Sequence, residues 1–146
     1  MKQPGLIQLY CGDGKGKTSA AVGQCLRAAG HGLRIGVLQF LKDGSSGEIA
    51  VLRTMKNVTV FPAMEKVKFT FAMTAEEKAE TRRFNDGLLA RAAAAADTLD
   101  VLLLDEVCAA VSTGLLDEEA LLKFLREKPA GLEVLLTGRD PSAGMR

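Results

Sequence analysis

A glycine-rich segment, Gly12 to Thr18, does most to limit the folds open to this chain. It reads Gly-Asp-Gly-Lys-Gly-Lys-Thr and lies between a short apolar run, residues 6–11, and a stretch of small helix-forming residues, 18–29. Glycines allow consecutive backbone amides to turn inward around an anion, where larger side chains would clash. A helix that follows adds a partial positive charge of about +0.5 at its first turn. This context of strand, glycine-rich turn and helix predicts a phosphate-binding loop.

The predicted loop is one residue shorter than the usual pattern, in which four residues separate the first glycine from Gly-Lys-Thr. In that pattern the first glycine would stand at position 11, which is Cys11 here. Lys17 supplies a full positive charge for a phosphate, and Thr18 supplies a hydroxyl oxygen for Mg²⁺ or Mn²⁺. The alternative is a glycine-rich turn that binds no ligand.

Apolar strands alternate with helical patterns along the whole chain. Strands are predicted at 6–11, 35–40, 58–61, 100–105 and 132–137, and helices at 18–29, 48–56, 74–96, 106–113 and 117–128. The strands are continuous apolar runs, which is typical of a parallel sheet covered on both faces. The sequence therefore predicts an α/β fold of the P-loop NTPase-like (RecA-like) kind, with a mostly parallel sheet. Residues 1–146 are expected to form a single P-loop nucleotide-binding domain.

Composition and charge narrow the classes of function. The formal net charge of +1 gives no support to a broad nucleic-acid or anionic-membrane surface. We find no secretory signal and no apolar run of membrane-spanning length, so we expect a cytoplasmic protein without nucleic-acid or membrane partners. The three cysteines, Cys11, Cys25 and Cys108, fit no zinc or redox spacing. We expect all three to be small core residues in a reducing compartment.

Two acidic residues, Asp105 and Glu106, follow the fourth predicted strand. Ligands bind at the carboxyl ends of the strands in open parallel sheets, and a carboxylate there can orient a magnesium ion held by Thr18. Adjacent residues of an extended strand point to opposite faces, so one acid is expected to hold the ion directly and the other through water. The alternative is that one of them only caps a helix. Arg139 ends the fifth strand at the same edge, where it would either neutralise phosphate or pair with Asp140.

Taken together, these residues resemble the ATP:corrinoid adenosyltransferase family, the cob(I)alamin or cob(I)yrinic acid a,c-diamide type. The resemblance covers nearly the whole chain, and the shortened loop is its most specific part. The matching segments, in the order of the family, are residues 12–21, 29–32, 36–42, 47–48, 104–106, 114–115 and 136–139.

The resemblance implies a transfer of the 5′-deoxyadenosyl group of ATP to the cobalt(I) of a corrinoid, with release of inorganic triphosphate. It implies Mg²⁺ or Mn²⁺, a homodimer, and a flavin-type reductase as a partner. Lys17 and Glu106 would be the catalytic residues, and Thr18, Asp105 and Glu106 would hold the metal. The residues implied in binding ATP and corrinoid are Gly12, Asp13, Gly14, Lys15, Gly16, Lys17, Thr18, Ser19, Arg139 and Phe71.

Three features of the sequence leave alternatives open. Phe71 stands where the family commonly has Trp near the corrinoid, and ordinary core packing would explain it equally well. Residues 107–110 lack the Tyr that many members carry after the acidic pair. We also expect the family's C-terminal strand and tail to be missing after Arg146. The alternatives are an ordinary P-loop ATPase or kinase, and a non-catalytic protein that binds a nucleotide or a corrinoid.

Overall fold

The protein, described here from a computed structural model, has a five-stranded sheet in the order β1-β5-β4-β2-β3. The structure describes residues 5–11, 16–42, 44, 46–64, 72–139 and 141–145. Every neighbouring pair of strands in this sheet is parallel. The strands are β1 (Ile7–Tyr10), β2 (Ile35–Gln39), β3 (Val58–Val60), β4 (Val101–Asp105) and β5 (Glu133–Thr137). The helices are α1 (Lys17–Gly30), α2 (Gly47–Arg53), α3 (Ala75–Ala95), α4 (Val107–Ser112) and α5 (Glu118–Glu127), with a 3-10 turn at Ala96–Thr98.

Helices cover both faces of the sheet, which confirms the predicted α/β class. Odd-numbered residues of β2 and β4, such as Val37 and Leu103, pack against α1 and α2 in one core cluster. Even-numbered residues, such as Leu38 and Leu104, pack against α3, α4 and α5 in the other. Because successive side chains of a strand point to opposite faces, two buried faces require the continuous apolar runs seen in the sequence.

The helix ends follow local signals in the sequence. At the start of α3, the Thr74 hydroxyl accepts from the Glu77 N–H and the Glu77 carboxylate accepts from the Thr74 N–H, both at 3.1 Å. This capping box satisfies two amides that have no partner within the helix. At the end of α1, the His31 backbone N–H donates to the carbonyl of Ala28 at 3.0 Å, and Gly32 adopts a left-handed φ of 80°. The two residues therefore cap this helix, as glycine after a last turn commonly does.

Helix α2 is shorter than predicted, since it ends at Arg53 and not near Lys56. The Thr54 hydroxyl donates to the carbonyl of Val51 at 2.7 Å and closes the last turn. The Asn57 amide then donates to the carbonyl oxygens of Ala29 and Leu33 at 2.9 and 2.6 Å. These contacts hold residues 54–57 as the connection to β3, because the side chains compete with the helix for backbone partners.

The prediction of three core cysteines is wrong for one of them. Cys25 and Cys108 are buried, whereas Cys11 is exposed because β1 ends at Tyr10 and the chain leaves the sheet there. Within the described ranges, no helix combines the length and the apolar character that crossing a membrane requires.

Candidate functional site

A row of polar side chains crosses the sheet where the strands end. Gln39 of β2 is in register with Asp105 of β4, and Tyr10 of β1 is in register with Thr137 of β5. Gln39, Asp105 and Thr137 have the odd numbers of the strand residues that pack against α1 and α2, and Tyr10 packs against the same cluster, so all four lie on that face of the sheet. Each ends an apolar strand, and three of them, Gln39, Asp105 and Thr137, are buried. The chain therefore places buried polar groups at the sheet edge where ligands of parallel α/β proteins bind.

Asp105 is the centre of this row. Its Oδ1 accepts from the Thr18 hydroxyl at 3.0 Å and from the Thr137 hydroxyl at 2.7 Å. Its Oδ2 accepts from the Lys42 ammonium at 2.6 Å. The side chain of Asp105 is only 1% exposed. A carboxylate this deeply buried needs such partners, because an unpaired charge away from water is costly.

Thr18 reaches Asp105 from the second residue of α1. Gly16 precedes that helix with a left-handed φ of 91°, which a side chain would disfavour. Lys17 and Thr18 are partly buried, and Ser19 is exposed on the first turn. These three residues thus stand at the positive end of the α1 dipole, where an anion is favoured. The predicted ligands Gly12, Asp13, Gly14 and Lys15, and also Phe71, lie outside the described residues.

Glu106 does not continue the strand, contrary to the expectation that the two acids alternate across it. It adopts a left-handed φ of 61° and stands before α4. Its backbone N–H donates to the Thr137 hydroxyl at 2.8 Å. Because Thr137 in turn donates to Asp105, one hydroxyl links the two acidic residues. The contact with the Thr18 hydroxyl is made by Asp105, and the Glu106 side chain is partly buried.

The segment after β5 closes tightly on α4. Gly138 has a φ of 145°, and a Cβ built on it would lie 2.5 Å from the Cβ of Cys108. Its N–H donates to the carbonyl of Tyr10 at 3.1 Å, which ties the end of β5 to the end of β1. Glycine is required here by both the backbone angle and the close approach. Arg139 follows as an exposed residue at this edge, and its predicted alternative partner Asp140 lies outside the described residues.

The two buried thiols, one on each side of the sheet, are held in the neutral form. Burial raises the pKa of Cys25 to about 12, and the charge of Asp105 adds to the shift. Burial raises the pKa of Cys108 to about 11, with smaller contributions from Cys11 and Glu106. Since the thiolate is the reactive form, neither residue is suited to act as a nucleophile.

We expect a thiol reagent at pH 8 to label Cys11 rapidly and to leave Cys25 and Cys108 unlabelled until the protein unfolds. Peptide mass spectrometry after timed labelling measures this. Rapid labelling of Cys25 in the folded protein would contradict the burial.

The two raised pKa values also predict that the free energy of unfolding falls as the pH rises above about 8.5, where thiols of the unfolded chain ionise. In that range the folded state retains protons that the unfolded state has released.

No group of three or more His, Cys, Asp or Glu side chains in the described part of the chain is arranged to hold a metal ion. A Mg²⁺ site does not need three such side chains, because Mg²⁺ commonly keeps several waters and binds through one or two carboxylates together with substrate phosphates. The adjacent Thr18 hydroxyl and Asp105 carboxylate have the chemistry of such a site.

Four members of the polar site have no role predicted from the sequence: Tyr10, Gln39, Lys42 and Thr137. The signal that identifies Gln39 and Thr137 is a polar residue that ends a continuous apolar run, the same signal that pointed to Asp105. Lys42 carries no such signal, because it stands three residues beyond the end of β2.

Comparison with known proteins assigns the chain to a family. The model of the family described as ATP:corrinoid adenosyltransferase BtuR/CobO/CobP matches residues 3–145. The chain belongs to this family. Among the curated relatives of the adenosyltransferase family, a corrinoid adenosyltransferase of Pseudomonas aeruginosa is 31% identical over 142 residues, which cover 97% of this chain and 70% of the relative.

Two further relatives have similar coverage. A corrinoid adenosyltransferase of Escherichia coli (strain K12) is 35% identical over 136 residues, which cover 92% of this chain and 68% of the relative. The corrinoid adenosyltransferase CobA of Salmonella typhimurium is 32% identical over 146 residues, with 94% and 69% covered. The match to the adenosyltransferases therefore extends over the strands and helices that build the polar site.

Proposed function

We propose that this chain transfers the 5′-deoxyadenosyl group of ATP to the cobalt(I) of a corrinoid and releases inorganic triphosphate. The observation that carries the proposal is the contact between Thr18, at the start of α1, and Asp105, at the end of β4. It joins the glycine-rich segment to the acidic strand end in a chain that belongs to the ATP:corrinoid adenosyltransferases.

The reaction needs little covalent chemistry from the protein. The electron pair of cobalt(I) forms a bond to the 5′ carbon of ATP, and the bond from that carbon to the triphosphate oxygen breaks. Triphosphate leaves with the electron pair, and the cobalt becomes formally cobalt(III). The protein must therefore bind the polyphosphate, hold it still and stabilise its added charge. Lys17 and the positive end of α1 are suited to that task, and Arg139 at the same edge is proposed to assist.

We propose that Thr18 and Asp105 hold a divalent ion, Mg²⁺ or Mn²⁺, together with the ATP phosphates. Two observations test the fit. A lysine ammonium already stands 2.6 Å from Asp105 Oδ2, so this carboxylate accepts a cation. Gln39 Oε1, in the same row, is buried and has no hydrogen-bond partner within the described residues. The water shell of an ion would supply a donor to it. When bound, the ion supplies positive charge to the leaving triphosphate. Glu106 is proposed to act beside it through water.

Replacing Gln39 by methionine separates ligand binding from folding. Because the Gln39 oxygen has no partner within the described residues, its removal should leave the thermal stability of the ligand-free protein unchanged or slightly raised. If the oxygen accepts a bond from the ligand complex, the affinity for ATP with Mg²⁺ should fall about 3- to 10-fold. Calorimetric titration and thermal denaturation measure the two effects. A variant that loses stability and keeps its affinity would contradict this role.

The activity itself is tested by mixing the protein with ATP, Mg²⁺ and chemically reduced corrinoid in the absence of oxygen. The expected products are inorganic triphosphate and an adenosylated corrinoid in equal amounts, identified by chromatography and by the absorbance spectrum of the corrinoid. Release of ADP and phosphate, without need of corrinoid, would instead indicate an ordinary P-loop ATPase. Saturable ATP binding without turnover would indicate a non-catalytic binding protein.

We propose a homodimer, which light scattering of the purified protein tests. We also propose a flavin-type reductase as the source of cobalt(I), since cobalt must be reduced before it can attack. The three free thiols are compatible with the proposed cytoplasmic location, where disulfides are rare.

A further inference from the structure

Among the residues that the structure describes, Lys42 forms the shortest hydrogen bond to Asp105. Its ammonium lies 2.6 Å from Asp105 Oδ2, and the side chain of Lys42 is 31% exposed whereas that of Asp105 is 1% exposed. The other carboxylate oxygen is taken by the two hydroxyls of Thr18 and Thr137. The ammonium therefore compensates the charge of the buried carboxylate, and it is the more exposed partner of the pair.

The backbone directs Lys42 to this position. Phe40 still pairs with β4, since its N–H donates to the carbonyl of Asp105 at 3.0 Å. Leu41 then adopts a left-handed φ of 60°, which is unfavourable for a residue with a branched side chain. The Leu41 side chain packs against the core on the α3 side of the sheet. This anchored turn sends the next residue, Lys42, back across the strand ends to Asp105.

We infer that Lys42 is an internal counter-ion that occupies the cation position on Asp105 and that a divalent ion must displace it. The inference rests on the proposed function in one respect: it takes Thr18 and Asp105 as the ion-binding pair. A divalent ion and an ammonium that share one carboxylate oxygen repel each other strongly at such short distances. The partly exposed ammonium can move into solvent, whereas the buried carboxylate cannot.

Displacement has a consequence for the order of events at the site. Without the ion, Asp105 contacts both the Lys42 ammonium and the Thr18 hydroxyl, so the Thr18–Asp105 pair is formed before ligand arrives. With the ion bound, the ammonium becomes free at the same sheet edge. The site is thereby selective for an ion that outcompetes a tethered ammonium, which favours divalent over monovalent cations.

The experiment uses the full chain with Mn²⁺ alone, without ATP or corrinoid. Replacing Lys42 by methionine leaves the Asp105 carboxylate without its cation, so the Tm should fall by roughly 5–15 °C. Millimolar Mn²⁺ should then raise the Tm of Lys42→Met by more than it raises the Tm of the unchanged protein. The matched control is Lys56→Met, an exposed lysine just beyond α2, which should change neither the Tm nor the response to Mn²⁺. Equal responses to Mn²⁺ in Lys42→Met and in the unchanged protein would overturn the inference.

A second measurement needs no variant and covers the case in which Lys42→Met does not fold. Amine-reactive labelling of the unchanged protein, followed by peptide mass spectrometry, reports the accessibility of each lysine. Increasing Mn²⁺ should accelerate the labelling of Lys42 several-fold and leave that of Lys56 unchanged. Labelling of Lys42 that stays constant up to the highest Mn²⁺ concentration would overturn the inference. Because neither readout involves turnover, failure of the adenosyl transfer reaction would be seen separately.

Discussion

Replacing Lys17 by alanine should lower kcat/KM for adenosyl transfer by about 30- to 1000-fold, which corresponds to about 2–4 kcal/mol of transition-state stabilisation. Lys17 is the first residue of α1 and is followed directly by Thr18, the residue that contacts Asp105. A charged partner of the triphosphate contributes most when the leaving group gains its extra negative charge. The loss should therefore appear in kcat as well as in KM.

Steady-state kinetics with saturating reduced corrinoid and varied ATP measures this effect. Lys56→Ala is the matched control, because Lys56 is an exposed lysine that follows α2. Its kinetic constants should equal those of the unchanged protein. Full activity in Lys17→Ala would remove Lys17 from the proposed catalytic residues.

Replacing Asp105 by alanine should affect both activity and folding. The substitution removes the acceptor of the Thr18 and Thr137 hydroxyls and of the Lys42 ammonium, so the free energy of unfolding should fall by about 2–4 kcal/mol. Adenosyl transfer should fall by about 100-fold or more, because the proposed ion loses the carboxylate that contacts Thr18.

Urea denaturation measures the stability of Asp105→Ala, and activity is assayed below the onset of unfolding. Asp97→Ala serves as the control, since Asp97 is an exposed aspartate in the 3-10 turn after α3. It should change neither quantity. Activity of Asp105→Ala close to that of the unchanged protein would place the divalent ion elsewhere.

Much of the fold was predictable because its signals are local. The apolar runs that form β2, β4 and β5 are separated from one another by glycine-containing turns and by helices. Two of these helices have recognisable N-terminal caps, Thr74 and Asp117. The predicted end of α2, near Lys56, was wrong partly because of contacts made with residues outside this helix. Asn57 is held by the carbonyl oxygens of Ala29 and Leu33, which come from the end of α1 and the turn after it.

The candidate site was predictable in part. Thr18 and Asp105 were both named from their motifs, and they contact each other although 87 positions separate them. The expectation that Glu106 alternates with Asp105 across the strand failed. Its left-handed backbone depends on the hydrogen bond from its N–H to Thr137, a residue 31 positions away. The role of Glu106 as a metal ligand stays a prediction.

By itself, the amino-acid sequence determined the α/β class, the helices and strands, the glycine-rich segment before α1 and the acidic end of β4. These follow from hydrophobic periodicity and turn chemistry, which act over a few residues. Only the tertiary structure decided that β5 lies between β1 and β4, which brings Thr137 to Asp105, and that Leu41 turns Lys42 onto the same carboxylate. The physical reason is that strand order and backbone reversals depend on packing between distant segments, and the Lys42–Asp105 pair is 63 positions apart.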